Sequence, residues 1–598
     1  MLWLGLSALI LPVISASAAL DEYSGNGFQY FDQKDRVKTV RRLCEDLENN
    51  YALWELKKEL VGLDSKAHCR ALIAAEEAVG DPDPKDTVAQ AKANLAFFDR
   101  VKKFGAGFKD THFSIRTTGP RSMIYLPLTV RKVDGKYLVT GRSQKLLQHI
   151  AQFSGGDSVA NISIGDELVE FNGKPVASEV TALIPYQSQG TEQGAEMRAI
   201  DAMFSRDYAY PSSPIATLTL KSAADEKVQK VEMSWIYRDP KRRDEKVYFD
   251  AIGFKDVTDL RRKYDSESKK WIIQPLFDEE YVPSHDMGKN LRDVREYLGF
   301  EEKESAIRKG LYVSGGKTFG VLQVFTFSEE FVTTASASGT AGKEAFLDVI
   351  RSTVIDFKTM GVPLILDLRE NGGGDSSYPA KVLSMLTPKG NVYPGATRAF
   401  RVTHYVRSTH DNLPHLIRES LGRELTGGVS DEELIELLNQ AVKTKSSLTQ
   451  AYSDSGIQPD PEVAGFEAPI VALISPNCVS ACDMMATLLK SSGRAVILGT
   501  NTSGTGAGFT FGGDYSRFWK DGLQIFTTSI PNFLFGAPGG PAGQKFFPGQ
   551  AKALCTENRP TVADIRYETT LSDVKNGDLG WLQKAVEAIG SPKKAKID

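Results

Sequence analysis

Three short stretches of the chain carry residue types that could act together in hydrolysis. The first is ISPNCVSACDMMATLLKSS, 474–492, where an apolar run gives way through Ser475-Pro476-Asn477 to small residues and then to a helical pattern. Ser480 falls at that turn. A side chain there can point out of the sheet edge, and the first amides of the following helix can face a developing negative charge. The same position suits a serine that only caps the helix. The second stretch is DLRENGGGD, 367–375, in which three glycines follow a buried strand. With no Cβ in the way, their N–H groups are open to a ligand and could donate to an oxyanion, or the segment is simply a flexible turn. The third is FKDTHFSIR, 108–116. His112 is one of seven histidines and precedes a strand-like run. A neutral imidazole is the natural base for a serine, although an isolated histidine also fits plain surface. His404 and His410 are reserve bases.

These residues need elements to position them, and the downstream sequence supplies an alternating series. FGVLQVFTF (319–327) reads as a strand, AGKEAFLDVIRSTVIDFKTM (341–360) as a helix, VPLILDLR (362–369) as a buried strand and YPAKVLSMLT as a helix. Strand 470–475, helix 482–490 and strand 495–498 complete it. Such alternation predicts an α/β fold, a parallel or mixed sheet with helical cover. Residues 408–465 read as a largely helical insertion, since DEELIELLNQAVKTK is amphipathic with an acidic first turn. Insertions at a rim often form lids.

Upstream, residues 33–104 read as helices, with apolar residues returning every three or four positions. Between 122 and 237 the pattern turns to strands: SMIYLPLTVRKVDGKYLVTG is two strands joined at Asp134-Gly135, and Asn172-Gly173 is a tight turn after strand 167–171. The spacing of Gly165-Asp166, Leu168, Asn172-Gly173 and Val176 resembles a PDZ domain, which implies capture of extended peptide ends by strand addition. A β-rich insert without a ligand is the alternative.

At 598 residues several domains are expected. We divide the chain into a signal peptide (1–19), an N-terminal helical region with the start of the catalytic fold (20–121), a PDZ-like domain (122–237) and a catalytic αβ core (238–598). A net charge of −4 gives no reason to expect nucleic acid as a partner. Residues 2–19 are uncharged and end in small residues, as in a secretory signal cleaved near Ala18 or Ala19, though no Lys or Arg precedes the apolar core. A membrane anchor or a buried first helix is the alternative. No other stretch is apolar enough to span a membrane. Export would let Cys44 and Cys69 staple two helices and Cys555 reach the Cys478/Cys482 turn, leaving one thiol over. Cys478 and Cys482 have no second ligand cluster, so neither a metal nor another cofactor is implied.

Taken together, Asp-x-His, a PDZ-type unit, DLR-x-N-x-G-G and a serine before a small-residue-Asp pair resemble the S41 serine peptidases. That family includes the tail-specific processing proteases, the tricorn core protease and the chlamydial protease-like activity factor. The similarity spans roughly 90–580 and implies a ClpP/crotonase-like αβ catalytic core. It also implies that Ser480 is the nucleophile, with Asp483 closing its motif, and that the amides of Ala481 and Gly373 form the oxyanion hole. The tail-specific branch uses a lysine in a T-x-G-K-G loop; here the loop is TSGTGAG and Thr505 stands at the lysine position. A threonine hydroxyl cannot deprotonate serine near neutral pH. The chain therefore resembles the branch that uses a histidine oriented by a glutamate. His112 matches the histidine, and Glu557 in CTENRPTVADI matches the glutamate, with Glu568 in reserve because the residues after Asn558 depart from the family pattern. Thr111 matches a hydroxyl residue that helps hold the glutamate. The resemblance implies an exported, periplasmic or secreted, serine endopeptidase acting on proteins or peptides, possible as a homo-oligomer. A non-catalytic peptide-binding or envelope scaffold protein on the same fold is the alternative.

Overall fold

The structure is a computed structural model. It describes residues 28–590 apart from 118–123, 238–247, 249–250, 252–305, 329–342, 404–430, 509–514, 537–555 and a few shorter gaps; for 515–555 it defines backbone only where it defines anything. The expected signal peptide, Cys555, His404, His410 and most of the first half of the 408–465 insertion lie outside the described residues.

The core is a six-stranded sheet in the order Ile307–Ser314, Lys317–Val324, Leu364–Asp367, Ile470–Ile474, Val496–Gly499, Ile565–Arg566. Its first two strands form an antiparallel hairpin and the rest run parallel. Parallel strands are covered on both faces, which is why VPLIL and IVALI read as unbroken apolar runs rather than alternating ones. Alternation is still present between faces. Leu364, Leu366, Ile470, Ala472, Ile474 and Ile497 pack with helices Lys343–Thr359, Tyr378–Leu386 and Ala481–Ser491, whereas Ile365, Val471, Leu473 and Leu498 pack on Trp581 and Leu582 of helix Leu579–Gly590. Arg369, buried at the end of its strand, bonds Asp367 and, at 2.9 Å, Asp578, pinning the C-terminal helix to the sheet.

All three central parallel strands deliver a loop to the same carboxyl edge: 368–375, 475–480 and 500–507. Open α/β sheets place their sites at that edge because the strand ends and helix N-termini converge there.

Helices Gln33–Asn50, Lys57–Val61, Ser65–Ala78 and Thr87–Gly107 make a second core around Leu43, Leu47, Tyr51, Phe97 and Val101. Cys44 and Cys69 form a disulfide between the first and third, 25 residues apart. Closing a loop of that length should stabilise the fold by about 3 kcal/mol. The double variant Cys44→Ser/Cys69→Ser is expected to lose that amount in urea unfolding, with a loss under 1 kcal/mol counting against the staple.

Residues 128–234 form the predicted β unit, a sheet of strands Leu128–Val133, Lys136–Arg142, Glu167–Phe171, Ile215–Lys221 and Val228–Ser234 around buried Trp235. Both dipeptide turns adopt the left-handed backbone that tight hairpins need: Asp134 and Gly135 at φ 50° and 77°, Asn172 and Gly173 at φ 52° and 74°. Much of the 408–465 insertion lies outside the described residues. Its described part holds one helix, Asp431–Lys443, followed by irregular chain and a short strand, Tyr452–Ser453, that pairs with Thr397–Phe400. Among the described residues no helix is long and apolar enough to cross a membrane.

Candidate active site

Ser480 precedes helix Ala481–Ser491 at φ 61°, ψ −117°, and its side chain makes no capping hydrogen bond. Capping is therefore not its role here. A non-glycine residue at such angles costs on the order of 1–3 kcal/mol and persists only where its surroundings over-determine it. They do so here. Ser480 O accepts from Met484 N at 3.0 Å, Val479 N donates to Asn371 O at 3.1 Å, and Cys478 O accepts from Ser503 N at 2.9 Å. Cys478 and Cys482 are joined to each other, bracketing the serine with Cα atoms 5.1 Å apart. This corrects the expected link to Cys555: four residues across a helix start bring the two Cα atoms well within bridging range. The amide of Ala481, first in the helix, has no intrahelical acceptor.

Gly373 packs directly on the serine turn at φ 95°; a Cβ there would lie 2.6 Å from Val479 O and 2.8 Å from the Ser480 Cβ. Its amide is not open, however. Gly373 N donates to the Asn371 side-chain oxygen at 2.8 Å, and its carbonyl accepts from Phe327 N at 2.7 Å. The triple-glycine turn is thus folded on its own asparagine rather than loose.

His112 is half-buried just before strand Ser114–Thr117. Its Nδ1 bonds the carbonyl of Ala507. A carbonyl can only accept, so Nδ1 carries the proton and Nε2 is the nitrogen with the lone pair. Burial pulls the His112 pKa below its ordinary value against the opposing charge of Asp110, which keeps the ring neutral near pH 7.

Glu557 is fully buried. One carboxylate oxygen accepts from Lys57 Nζ and the other from Gly506 N, both at 2.7 Å. Burial, then the charge of Asp110, pushes its pKa up to about 7, with Lys57 pulling the other way. Glu557 thus grips the segment whose Ala507 carbonyl holds His112. Thr111, matched to a hydroxyl that holds the glutamate, has a buried Oγ1 without a hydrogen-bond partner; Lys57 and the Gly506 amide occupy both Glu557 oxygens instead. The reserve carboxylate Glu568 sits in an exposed pair with Arg566.

One loop, 501–507, joins these parts. Asp483 holds its centre, accepting from Ser503 Oγ at 2.7 Å, Gly504 N at 3.2 Å and Thr505 N at 3.1 Å. Thr505 is buried, its hydroxyl on Ser503 Oγ. Burial raises Asp483 from 3.8 to about 6 against those hydrogen bonds. A carboxyl that titrates higher folded than unfolded binds protons more tightly when folded, so its contribution to stability is full below about pH 4 and declines as pH rises through about 6. Asp483→Ala strands two buried amides and a hydroxyl and is expected to cost about 3 kcal/mol. Its deficit in urea unfolding should narrow from pH 4 to pH 6; a deficit that widens would contradict this assignment.

Lys57 is the residue that sequence reasoning missed. It is wholly buried on an apolar face, four residues after Leu53 and three before Leu60. A lysine on an apolar stripe was the available signal.

Comparison with known proteins accords with this arrangement. The model of peptidase family S41 matches residues 319–511, spanning the glycine turn, the serine turn and the 501–507 loop, and a PDZ-domain model matches residues 122–246. The region that carries the site thus resembles peptidase family S41. The match supports serine-type peptidase chemistry, on an α/β core with N-terminal helices and a PDZ-like β insertion. A Chlamydia muridarum protein described as uncharacterized is 24% identical over 533 residues, covering 80% of this chain and 82% of its own length. A Chlamydia trachomatis protein is 24% identical over 527 residues with the same coverage. The crystal structure of mature CPAF superposes with a TM-score of 0.65 at 20% identity, covering 93% of this chain and 98% of that one. Mature CPAF complexed with lactacystin gives 0.65 at 18%, covering 93% and 99%. At these identities the likeness to CPAF is one of fold.

Proposed function

We propose that the chain is an exported serine endopeptidase that cleaves peptide bonds through Ser480, His112 and Glu557 by way of an acyl-enzyme. Ser480 Oγ attacks the peptide carbonyl while His112 Nε2 takes its proton, directly or through one water. The tetrahedral oxyanion is met by the Ala481 amide at the helix start. Gly373 joins by exchanging its bond to Asn371 for a stronger one to the oxyanion, since charge-assisted hydrogen bonds exceed neutral ones about twofold. His112 then protonates the leaving amine. Water enters, gives its proton to Nε2 and attacks the acyl carbon; Nε2 then returns a proton to Ser480 Oγ as the acyl group leaves as the acid. Glu557 works at one remove, holding the 506–507 backbone that fixes the imidazole tautomer. The resemblance to S41 peptidases also supports reading the core as ClpP/crotonase-like.

The observation that carries this reading is His112 Nδ1 on the Ala507 carbonyl, in the loop whose other end is tied to the Ser480 turn. Export is supported by two disulfides, which persist in oxidising compartments. A fluorophosphonate probe tests the chemistry: the parent chain should be labelled, and Ser480→Ala and His112→Ala should not. Equal labelling of both variants and parent would reject the triad, and no labelling of the parent would favour the peptide-binding alternative.

A further inference from the structure

The S41 reading accounts for Ser480, His112 and Glu557 but leaves a buried ammonium unexplained. Lys57 opens a five-residue helix, Lys57–Val61, in the N-terminal region, 500 residues from Glu557 in sequence. It is 0% exposed and follows buried Leu53, Trp54 and Leu56 in the chain. Its Nζ reaches Glu557 Oε1 at 2.7 Å, Asn558 Oδ1 at 2.8 Å and Lys109 O at 3.3 Å. An ammonium has three protons to donate, and all three are placed. Asn558 is held in turn: its side-chain amide donates to Lys109 O at 2.7 Å and Gly190 O at 3.0 Å, and its backbone N donates to Gly504 O at 2.8 Å.

Burying a lysine here is a poor way to stabilise a helical layer. A methionine would fill the same space, and exchanging buried ion pairs for hydrophobic residues is often neutral or stabilising. The charge is needed only if Glu557 must stay ionised, because only the carboxylate offers an acceptor oxygen to Lys57 and another to the Gly506 amide at once.

We propose that Lys57 is a positioning residue for peptide hydrolysis: its ammonium holds Glu557 as the carboxylate and thereby sets the Gly506–Ala507 segment that orients His112. This rests on the triad reading above. Of the charged groups facing Glu557, Asp110 opposes Lys57. Asp110 is buried, with its oxygens on Tyr51 Oη at 2.8 Å and His112 N at 2.9 Å. Even with Lys57 present, Glu557 titrates at about 7. Without Lys57 the balance set by burial and Asp110 moves further toward the protonated form. His112 titrates below its usual range, so the acid limb of activity belongs to Glu557.

The test is the pH profile of the fluorophosphonate labelling rate on the full chain, with folding followed by circular dichroism. Lys57→Met is expected to move the acid limb up by about one pH unit, a roughly tenfold loss of rate on its acid side, with near-parent rates at the alkaline plateau. Lys57→Gln, which keeps donors without charge and serves if Lys57→Met does not fold, should shift the limb likewise. Lys57→Arg should leave it in place. A loss by the same factor at every pH, or an unmoved limb in Lys57→Met and Lys57→Gln, would overturn the proposal. Glu557→Gln separates the two readings. If it labels like the parent, the role given to Glu557 fails; if it labels poorly while the Lys57 variants keep the parent limb, only the role of Lys57 fails.

Discussion

Replacing Ser480 with alanine is expected to lower kcat for peptide cleavage by on the order of 10^5–10^6-fold, and His112→Ala by nearly as much. The reason lies in the atom each group brings to the reaction. The serine hydroxyl is not consumed by a helix cap, and the backbone holds it at φ 61°. The histidine has its Nδ1 proton committed to the Ala507 carbonyl, so Nε2 is the basic atom. Neither is useful without the other: a hydroxyl near its free pKa is a poor nucleophile, and a base with no proton to take does nothing. The double variant should therefore be no slower than the worse single variant. Hydrolysis of a fluorogenic casein, measured for the four chains, decides the matter. Multiplying losses in the double variant would mean that the two residues act separately, and a His112→Ala chain within tenfold of the parent would remove the imidazole from the mechanism.

The second large effect comes from a residue with no side chain. A Cβ added at Gly506 would lie 2.0 Å from Glu557 N and 2.7 Å from both the Glu557 Cα and the Thr556 carbonyl carbon. All three are backbone atoms and cannot swing aside. Gly506→Ala must push the 506–507 segment away from Glu557, taking with it the amide that bonds the carboxylate and the carbonyl that orients His112. A displacement of about 1 Å in such an arrangement costs roughly 100-fold in rate, and overpacking costs about 1–3 kcal/mol in stability. The expected result is at least a 100-fold slower labelling rate in a chain that still folds. Gly80→Ala, where an added Cβ meets nothing within 4 Å, is the control for an ordinary glycine substitution. A Gly506→Ala chain labelled at the parent rate would show that Glu557 and His112 do not communicate through this backbone.

Much of the scaffold was legible because its signals are local. Unbroken apolar runs such as VPLIL and IVALI announce strands buried on both faces, and Asp134-Gly135 and Asn172-Gly173 announce tight turns through a left-handed backbone. The absence of a lysine at Thr505 is equally local, and it turned attention from a Ser-Lys dyad to His112. The partners of these residues were less legible. Cys478 and Cys482 read as lacking a second ligand cluster, yet they close on each other because the helix start folds them together. Thr111 matched a supporting hydroxyl by position, but a lysine from the helical layer and a backbone amide hold the glutamate.

Residue types and local pattern determined by themselves which groups could do chemistry and on which turn or strand end each stands: Ser480 after an apolar strand, three glycines after another, one histidine before a third. Only the tertiary structure decided what each is bonded to. Ala507 supplies a carbonyl, Gly506 an amide and Asn371 an acceptor for Gly373, and backbone groups are the same at every position, so nothing in the residue code marks the ones used. Lys57 is the opposite case, a side chain whose type says surface until the fold encloses it, where only an anion within bonding distance can offset the loss of water.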